Sequence, residues 1–143
     1  MKHTVKQITS QLRTFAANHP EIIAVYLFGS ILTRNNPEDI DIALLFDTIP
    51  EDDTAKYRYG YKVELINELM QLLKTSDVDL TFLNTAPPSV AMNILRTGKR
   101  IVCTNDRLVE QLEYRIRQKY IDTKPLRDIK AYYLKKAYGP HDR

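Results

Sequence analysis

Two aspartates stand one residue apart where an apolar segment of the chain begins. Asp39 and Asp41 open the segment Asp39–Phe46, whose remaining residues are all apolar. Successive side chains of a β-strand point to opposite faces, so both carboxylates would share one face, about 6–7 Å apart along the strand. A divalent cation between them would relieve their repulsion, and Mg²⁺ suits carboxylate and phosphate oxygens best. The spacing predicts a magnesium site at the start of this strand.

A second pair of aspartates repeats this arrangement further along the chain. Asp77 and Asp79 would share one face of the apolar segment Asp77–Leu83. If this segment lies beside the strand that carries Asp39 and Asp41, Asp79 completes a cluster of three carboxylates. Such a cluster can hold two metal ions, the arrangement used for in-line phosphoryl or nucleotidyl transfer. These three aspartates are therefore the candidate catalytic and metal-binding residues.

A Gly-Ser pair follows the strand that precedes the aspartates. Ile22–Phe28 is a run of β-branched, aliphatic and aromatic residues typical of a buried strand, and Gly29 ends it. Gly29 would let the backbone turn sharply and approach a ligand closely. Ser30 offers a hydroxyl and an N–H group to phosphate oxygens, and a helical turn starting there would attract an anion further. Gly29 and Ser30 are therefore the candidate nucleotide-binding residues.

Hydrophobic periodicity predicts the elements that must position these residues. About ten residues without a helix join the first two strands, which suits an antiparallel pair better than a crossover. The fold class is therefore α/β or α+β, a small mixed sheet with helices packed against it. In chain order we expect helix Thr4–Asn18, strands Ile22–Phe28 and Asp39–Phe46, helix Asp53–Lys74, strand Asp77–Leu83, a short helix closed by Gly98, edge strand Arg100–Thr104, and helices Asn105–Tyr120 and Pro125–Tyr138.

The long central helix has a wide apolar face. Its apolar residues recur at helical spacing, which predicts that one stripe packs on the sheet and a second stripe widens it. The first stripe consists of Val63, Ile66, Met70 and Leu73, and the second of Leu65, Leu69 and Leu72.

Length and composition limit the classes of protein. The 143 residues suit a single domain, 1–143, in which residues 105–138 form C-terminal helices. No apolar run approaches the roughly 20 residues of a membrane span, and the N-terminal segment lacks a signal-peptide core. Cys103 is the only cysteine, which excludes an internal disulfide. We expect a cytoplasmic protein with no membrane partner.

Charge is unevenly distributed along the chain. Residues 1–95 carry 8 Lys/Arg and 12 Asp/Glu, whereas residues 96–143 carry 13 Lys/Arg and 6 Asp/Glu. Five of the nine tyrosines also lie in the basic C-terminal part. Such a segment could bind a polyanion or an acidic protein partner. It could also be a solvated helix face with tyrosines packed beneath it, and composition does not decide between these interpretations.

The motifs resemble those of the minimal nucleotidyltransferases (MNT) of the DNA polymerase beta superfamily. The family pattern is a strand ending in Phe-Gly-Ser, a variable loop and Asp-x-Asp, found here as Phe28–Ser30 and Asp39–Asp41. The segment Val78–Val102 is similar to the family's downstream region, where the third carboxylate leads a strand and an ILR-x-G helix follows. The resemblance covers about Ile22 to Leu134 and implies the polymerase beta-like nucleotidyltransferase fold with a helical C-terminus.

Small bacterial proteins of this kind commonly act as antitoxins to a helical HEPN-domain RNase. The resemblance implies Mg²⁺-dependent transfer of AMP from ATP to a tyrosine hydroxyl of that toxin, which neutralises it. Asp39 and Asp41 would bind two metal ions, and Asp79 would help to activate the acceptor hydroxyl. Gly29 and Ser30 would hold the β- and γ-phosphates. The basic, tyrosine-rich C-terminal helices would serve as a docking surface for the toxin.

Three other functions stay open on the sequence. The chain could be an antitoxin that neutralises its partner by binding alone. It would then have the same fold, but the loop between Ser30 and Asp39 would bind nucleotide poorly. It could transfer a nucleotide to a small molecule without a protein partner. It could also bind nucleic acid directly through its basic C-terminal part, which the motifs favour less.

Overall fold

The computed structural model describes residues 4–33, 39–51 and 60–139. Within these residues the chain forms one mixed sheet with helices packed on both of its faces. The strands are β1 (Ile22–Phe28), β2 (Ile40–Phe46), β3 (Val78–Phe82) and β4 (Lys99–Cys103), and the helices are α1 (Val5–Ala17), α2 (Tyr61–Leu73), α3 (Pro88–Thr97), α4 (Asp106–Asp122) and α5 (Lys124–Tyr138).

The sheet has the strand order β3-β2-β1-β4. β1 runs antiparallel to both β2 and β4, whereas β2 and β3 run parallel. The short β1–β2 connection permits only the antiparallel pairing, and the crossover through α2 permits the parallel one. The predicted mixed sheet and the predicted antiparallel start are confirmed.

Side-chain alternation divides the apolar residues of the strands between two cores. On one face Ile42 and Leu44 pack with residues of α1 and α2. On the other face Ala43 and Leu45 pack with Tyr26 and with residues of α3 and α4. Because β2 is covered on both faces, it reads as a nearly continuous apolar run. The alternation places Asp41 on the same face as Ala43 and Leu45, the face covered by α3 and α4.

The central helix begins later than the sequence predicts. Gly60 precedes α2 with φ +94° and ψ 155°, a conformation that cannot belong to a helix, so the continuous helix predicted from Asp53 is wrong. Residues 52–59 lie outside the described part of the chain. The buried face also differs from the predicted first stripe, since Val63 is 41% exposed. The buried residues of α2 are Tyr61, Leu65, Leu69 and Leu73.

The C-terminal helices begin close to their predicted positions. The Asn105 side chain caps α4 by accepting the Leu108 N–H at 3.1 Å, as expected of an Asn before a helix. α5 has a proline in its first turn, where a missing N–H costs nothing. None of the helices in the described residues is long and apolar enough to cross a bilayer.

Candidate nucleotidyl-transfer site

The parallel pairing of β2 and β3 places Asp41 directly opposite Asp79. Paired residues of neighbouring strands point to the same face, so the two carboxyl groups lie together at the start of both strands. Burial raises the pKa of the Asp41 carboxyl, and the negative charges of Asp79 and Asp39 raise this pKa further. A hydrogen bond between the carboxyl groups of Asp41 and Asp79 acts in the same direction. The structure thus brings the predicted carboxylates into one electrostatic cluster.

Asp39 lies just before β2 and is exposed, as is Asp79, whereas Asp41 is half-buried. In the described part of the chain, no three His, Cys, Asp or Glu side chains already stand as a formed metal site. The donor set nevertheless fits a hard divalent cation, because it consists of carboxylate oxygens whose mutual repulsion a cation would offset. Burial contributes most to the raised pKa of Asp41, and this repulsion raises the pKa further.

Gly29 is required by the close approach of Asp41. Phe28, the last residue of β1, pairs with Asp41, and Gly29 follows with φ +77°. A Cβ atom on Gly29 would collide with Oδ2 of Asp41. Glycine therefore serves two purposes here, since it adopts a backbone conformation that L side chains rarely take and leaves room for the carboxylate.

A short 3-10 turn, Gly29–Leu32, starts at this point. The half-buried Ser30 closes the turn by accepting the Thr33 N–H through its carbonyl oxygen at 3.1 Å. The helical turn on which the expected anion attraction depends is therefore present, and it starts at Gly29. Its first N–H groups and the Ser30 hydroxyl lie beside the carboxylate cluster, because Gly29 and Asp41 are in contact.

A second glycine supports this turn from behind. Gly98 ends α3 as predicted, but its backbone is extended, with φ −80° and ψ 170°. A Cβ atom on Gly98 would lie 2.6 Å from the Ile94 carbonyl oxygen, 3.1 Å from that of Leu27 and 3.3 Å from Cβ of Phe28. The end of α3 thus packs closely against the last residues of β1, immediately before Gly29. Sequence reasoning identified Gly98 only as a helix end and missed this contact.

A buried polar cluster on the same sheet face also escaped the sequence analysis. Glu113 of α4 is only 7% exposed. It accepts hydrogen bonds from the Tyr26 hydroxyl at 3.2 Å and from Arg100 Nη1 at 2.8 Å. Burial and the Glu113 charge raise the pKa of Tyr26 well above its ordinary value. The available signal was the spacing Val109, Glu113, Ile116, which places a carboxylate within the apolar stripe of α4.

This polar cluster lies next to the candidate site on the same sheet face, two residues further along β2 than Asp41. Tyr26 pairs with Ala43 on β2 and with Arg100 on β4, and Ala43 is two residues beyond Asp41 on the same face. The cluster therefore fixes α4 to β1 and β4 beside the candidate site, and its buried carboxylate is already neutralised by a cation. Among the described residues, by contrast, no salt bridge neutralises Asp39, Asp41 or Asp79.

A mixed sheet of this topology, with a Gly-Ser turn facing aspartates on two parallel strands, defines the nucleotidyltransferase class of fold. The chain belongs to the polymerase beta nucleotidyltransferase family, whose model, described as "Polymerase beta, Nucleotidyltransferase", matches residues 10–107. The predicted family and the predicted polymerase beta-like fold are therefore confirmed. No curated protein matches the chain.

Solved structures with the same fold include chains of toxin–antitoxin complexes. One is a complex of a tri-AMPylated Shewanella oneidensis HEPN toxin with MNT antitoxin, at 23% identity and a TM-score of 0.69 over 90% of this chain and 97% of that chain. A toxin–antitoxin structure with AMP-PNP has 23% identity and a TM-score of 0.70, covering 88% and 97%. A mutant of the toxin–antitoxin pair MntA–HpeT has 26% identity and a TM-score of 0.64, covering 90% and 96%.

Proposed function

We propose that this protein is a nucleotidyltransferase antitoxin that transfers AMP from ATP to a tyrosine hydroxyl of a partner HEPN-domain RNase and thereby neutralises it. The observation that carries the proposal is the direct pairing of Asp41 with Asp79, in contact with the turn at Gly29. The similar structures support it, since their descriptions include an AMPylated HEPN toxin, an MNT antitoxin and an ATP analogue.

The proposed reaction assigns a part to each side chain of the site. Asp39, Asp41 and Asp79 would hold Mg²⁺, which when bound neutralises phosphate charge and lowers the pKa of an attacking hydroxyl. The N–H groups of the turn that begins at Gly29, and the hydroxyl of Ser30, bind the β- and γ-phosphates. With the β- and γ-phosphates bound in this way, the α-phosphate would face the carboxylates.

The transfer itself exchanges one phosphorus–oxygen bond for another. The tyrosine hydroxyl loses its proton to water, its oxygen forms a bond to the α-phosphorus, the bond from that phosphorus to the bridging oxygen breaks, and pyrophosphate leaves. We assign the activation of the incoming hydroxyl to Asp79, which is exposed and pairs with Asp41. Because ATP and an intracellular RNase are required, we place the reaction in the cytoplasm.

Labelling tests the proposal directly. Wild-type protein incubated with α-³²P-ATP, Mg²⁺ and its purified HEPN-domain partner should transfer label to partner tyrosine, and EDTA should abolish the transfer. The double variant Asp39→Asn, Asp41→Asn should transfer none. Asp47→Asn is the matched control, because Asp47 is an exposed aspartate at the opposite end of β2. Absence of label with folded wild-type protein would overturn the catalytic proposal.

The same preparation separates the rival functions. If the double variant still inhibits the RNase fully, the protein neutralises by binding alone. If wild-type protein releases pyrophosphate with a small hydroxyl compound and leaves the partner unlabelled, the acceptor is a small molecule.

A further inference from the structure

The last helix packs against α4 and buries none of its own residues. Leu126, Ile129 and Tyr133 are 68%, 54% and 62% exposed. Their spacing of i, i+3 and i+7 places them on one face of the helix, and we call this face the α5 stripe. An isolated helix of 15 residues is marginal in water, and most helices gain stability by burying an apolar face. The α5 stripe has no such cover within its own described chain.

Polar contacts hold α5 on α4 in place of apolar packing. Arg127 donates from Nη1 to the Thr123 hydroxyl at 2.6 Å and from Nη2 to the Tyr120 carbonyl at 2.8 Å. Its guanidinium carbon lies 3.9 Å from the centre of the Tyr120 ring. At about 3.6 residues per turn, the Arg127 side of the helix points away from the α5 stripe. The junction therefore presents the stripe to solvent in a defined orientation.

Lysines border the α5 stripe on both sides. Lys130 and Lys136 flank it on the helical wheel, whereas Lys135 lies on nearly the opposite face. The salt bridges found among the described residues include Lys124–Asp128 at 2.7 Å but none with Lys130 or Lys136. An apolar stripe between uncompensated cations matches an apolar groove bordered by carboxylates.

We propose that the α5 stripe is the docking surface for the acceptor protein of the proposed reaction, and that it binds an apolar, acid-bordered groove on that protein. The identity of the partner rests on the proposed function. The apolar centre favours a protein over a nucleic acid, because Leu126 and Ile129 contribute nothing to phosphate contacts. A second copy fits poorly, because symmetric pairing of two stripes would bring the lysines of both chains together.

The docking surface lies apart from the chemistry. Ile116 and Lys119 of α4 line a cavity with Leu45 and Asn84, near the end of β2 that is opposite Asp41. α5 follows this part of α4, so we expect the α5 stripe to lie away from the carboxylates. We therefore expect changes in the stripe to weaken partner binding without altering the fold.

Binding of the purified HEPN-domain partner tests the surface. The variant Leu126→Ser, Ile129→Ser is made in the inactive Asp39→Asn, Asp41→Asn background, and its Kd is measured by calorimetry. We expect a Kd at least tenfold higher and an unchanged Tm, since neither side chain is buried. Val63→Ser is the matched control, an exposed apolar residue on α2 that should leave the Kd unchanged. An unchanged Kd for the stripe variant overturns the proposal.

A charge variant, Lys130→Glu, Lys136→Glu, provides a second test of the docking surface. It should also raise the Kd and reduce the salt dependence of association. Two results would overturn the partner assignment. In the first, the wild-type protein forms a concentration-dependent dimer that the stripe variant abolishes. In the second, only the charge variant raises the Kd and RNA competes for binding. Wild-type protein that binds the partner through the stripe but transfers no AMP refutes the proposed catalysis and leaves the docking surface standing.

Discussion

At the scale of single residues, the site depends on a missing side chain. Gly29 and Asp41 come from different strands, and the carboxylate of Asp41 occupies the space that a Cβ atom on residue 29 would need. The same glycine turns the backbone at φ +77° into the 3-10 turn. The turn that we propose binds phosphate and the carboxylate cluster are thus in direct contact, so a change in one alters the other.

Gly29→Ala should therefore damage activity more than stability. We expect a loss of about 1–2 kcal/mol in the free energy of unfolding from the left-handed backbone. Displacement of Asp41 should lower kcat roughly 100-fold or more. Chemical denaturation and the labelling assay measure the two effects.

Gly60→Ala is the matched control for backbone strain. Gly60 also has a positive φ, and the next residue, Tyr61, contacts the rings of Phe46 and Phe82 at the other end of the sheet. This variant should lose about 1–3 kcal/mol of stability and keep its kcat. Equal kcat values for the two glycine variants would contradict the role assigned to Gly29.

Asp41 illustrates a residue whose charge opposes folding. Its pKa is raised by burial and by the charges of Asp79 and Asp39, so the ionised form is less stable in the folded chain than in the unfolded chain. In EDTA, Asp41→Asn should raise Tm by about 1–3 °C, a small effect because the group is partly exposed. Labelling activity should be lost.

Magnesium provides the complementary measurement. Adding Mg²⁺ should raise the Tm of the wild-type protein, because a ligand that binds the folded state stabilises it. It should have a smaller effect on Asp41→Asn. A lower Tm for Asp41→Asn in EDTA would contradict the conclusion that burial and the neighbouring charges destabilise the ionised Asp41 in the folded chain.

At the scale of elements, the site is a consequence of strand register. Asp41 faces Asp79 because β2 and β3 are parallel neighbours, and Phe28 faces Asp41 because β1 and β2 are antiparallel. A slip of one residue in either pairing would send a carboxylate to the opposite face, into the core with α1 and α2. The apolar residues of β2, buried on both faces, make such a slip costly.

Contacts between α4 and the sheet help to hold this register. Glu113 joins Tyr26 of β1 to Arg100 of β4, and its carboxylate is almost fully buried. Glu113→Ala should cost about 1–3 kcal/mol, because it leaves a buried hydroxyl without its acceptor. Glu110→Ala, an exposed carboxylate one turn earlier on α4, should stay within about 0.5 kcal/mol of the wild-type protein. Urea denaturation measures both, and equal losses would contradict a structural role for the cluster.

At the scale of the whole molecule, a polar network connects α1, α2 and the start of β1 at the end of the sheet opposite the site. His19 follows α1. Its Nδ1 lies 3.2 Å from Oε1 of Glu21, and its Nε2 lies 2.7 Å from Oε2 of Glu68 on α2. The Tyr61 hydroxyl donates to Glu21 at 2.7 Å. Partial burial acts to raise the pKa of Glu21, but the hydrogen bond from Tyr61, a backbone hydrogen bond and the nearby His19 outweigh it and lower this pKa.

The lowered pKa of Glu21 predicts a specific pH dependence. Between its folded and ordinary pKa values the folded state binds fewer protons than the unfolded state, so stability rises with pH in this window. Glu21→Gln should therefore have a lower Tm than the wild-type protein at pH 7, and the gap should shrink as pH falls below about 4. Glu64→Gln is the matched control on α2, since Glu64 lines a cavity with His19 and Tyr61, and it should keep the wild-type Tm at pH 7. A Glu21→Gln gap that is constant from pH 7 to pH 3 would contradict the network.

The C-terminal helices show where the packing of the chain ends. Tyr114, Tyr132 and Tyr138 are 62%, 61% and 84% exposed, so tyrosines packed beneath a solvated helix face do not describe this region. The sheet and its flanking helices α1 to α4 bury two cores, and α5 joins neither of them. This division agrees with a catalytic body and a separate arm that presents the α5 stripe.

Sequence alone predicted most of the elements of this protein and its candidate chemistry. The apolar runs, the Gly-Ser pair and the spacing of Asp39, Asp41 and Asp79 are local patterns, and the period of a strand or helix is encoded in a few neighbouring residues. The mixed sheet and the family follow from these patterns and are confirmed. The roles of the individual aspartates stay predictions that the labelling experiment tests.

Only the tertiary structure decided which of these residues meet. The contact of Gly29 with Asp41, the support from Gly98, the burial of Glu113 and the start of α2 after Gly60 all depend on residues distant in the chain. Packing of whole faces selects the strand register and decides which stripe of a helix is buried. That selection is a free-energy balance over the entire core, and no local window of sequence contains it.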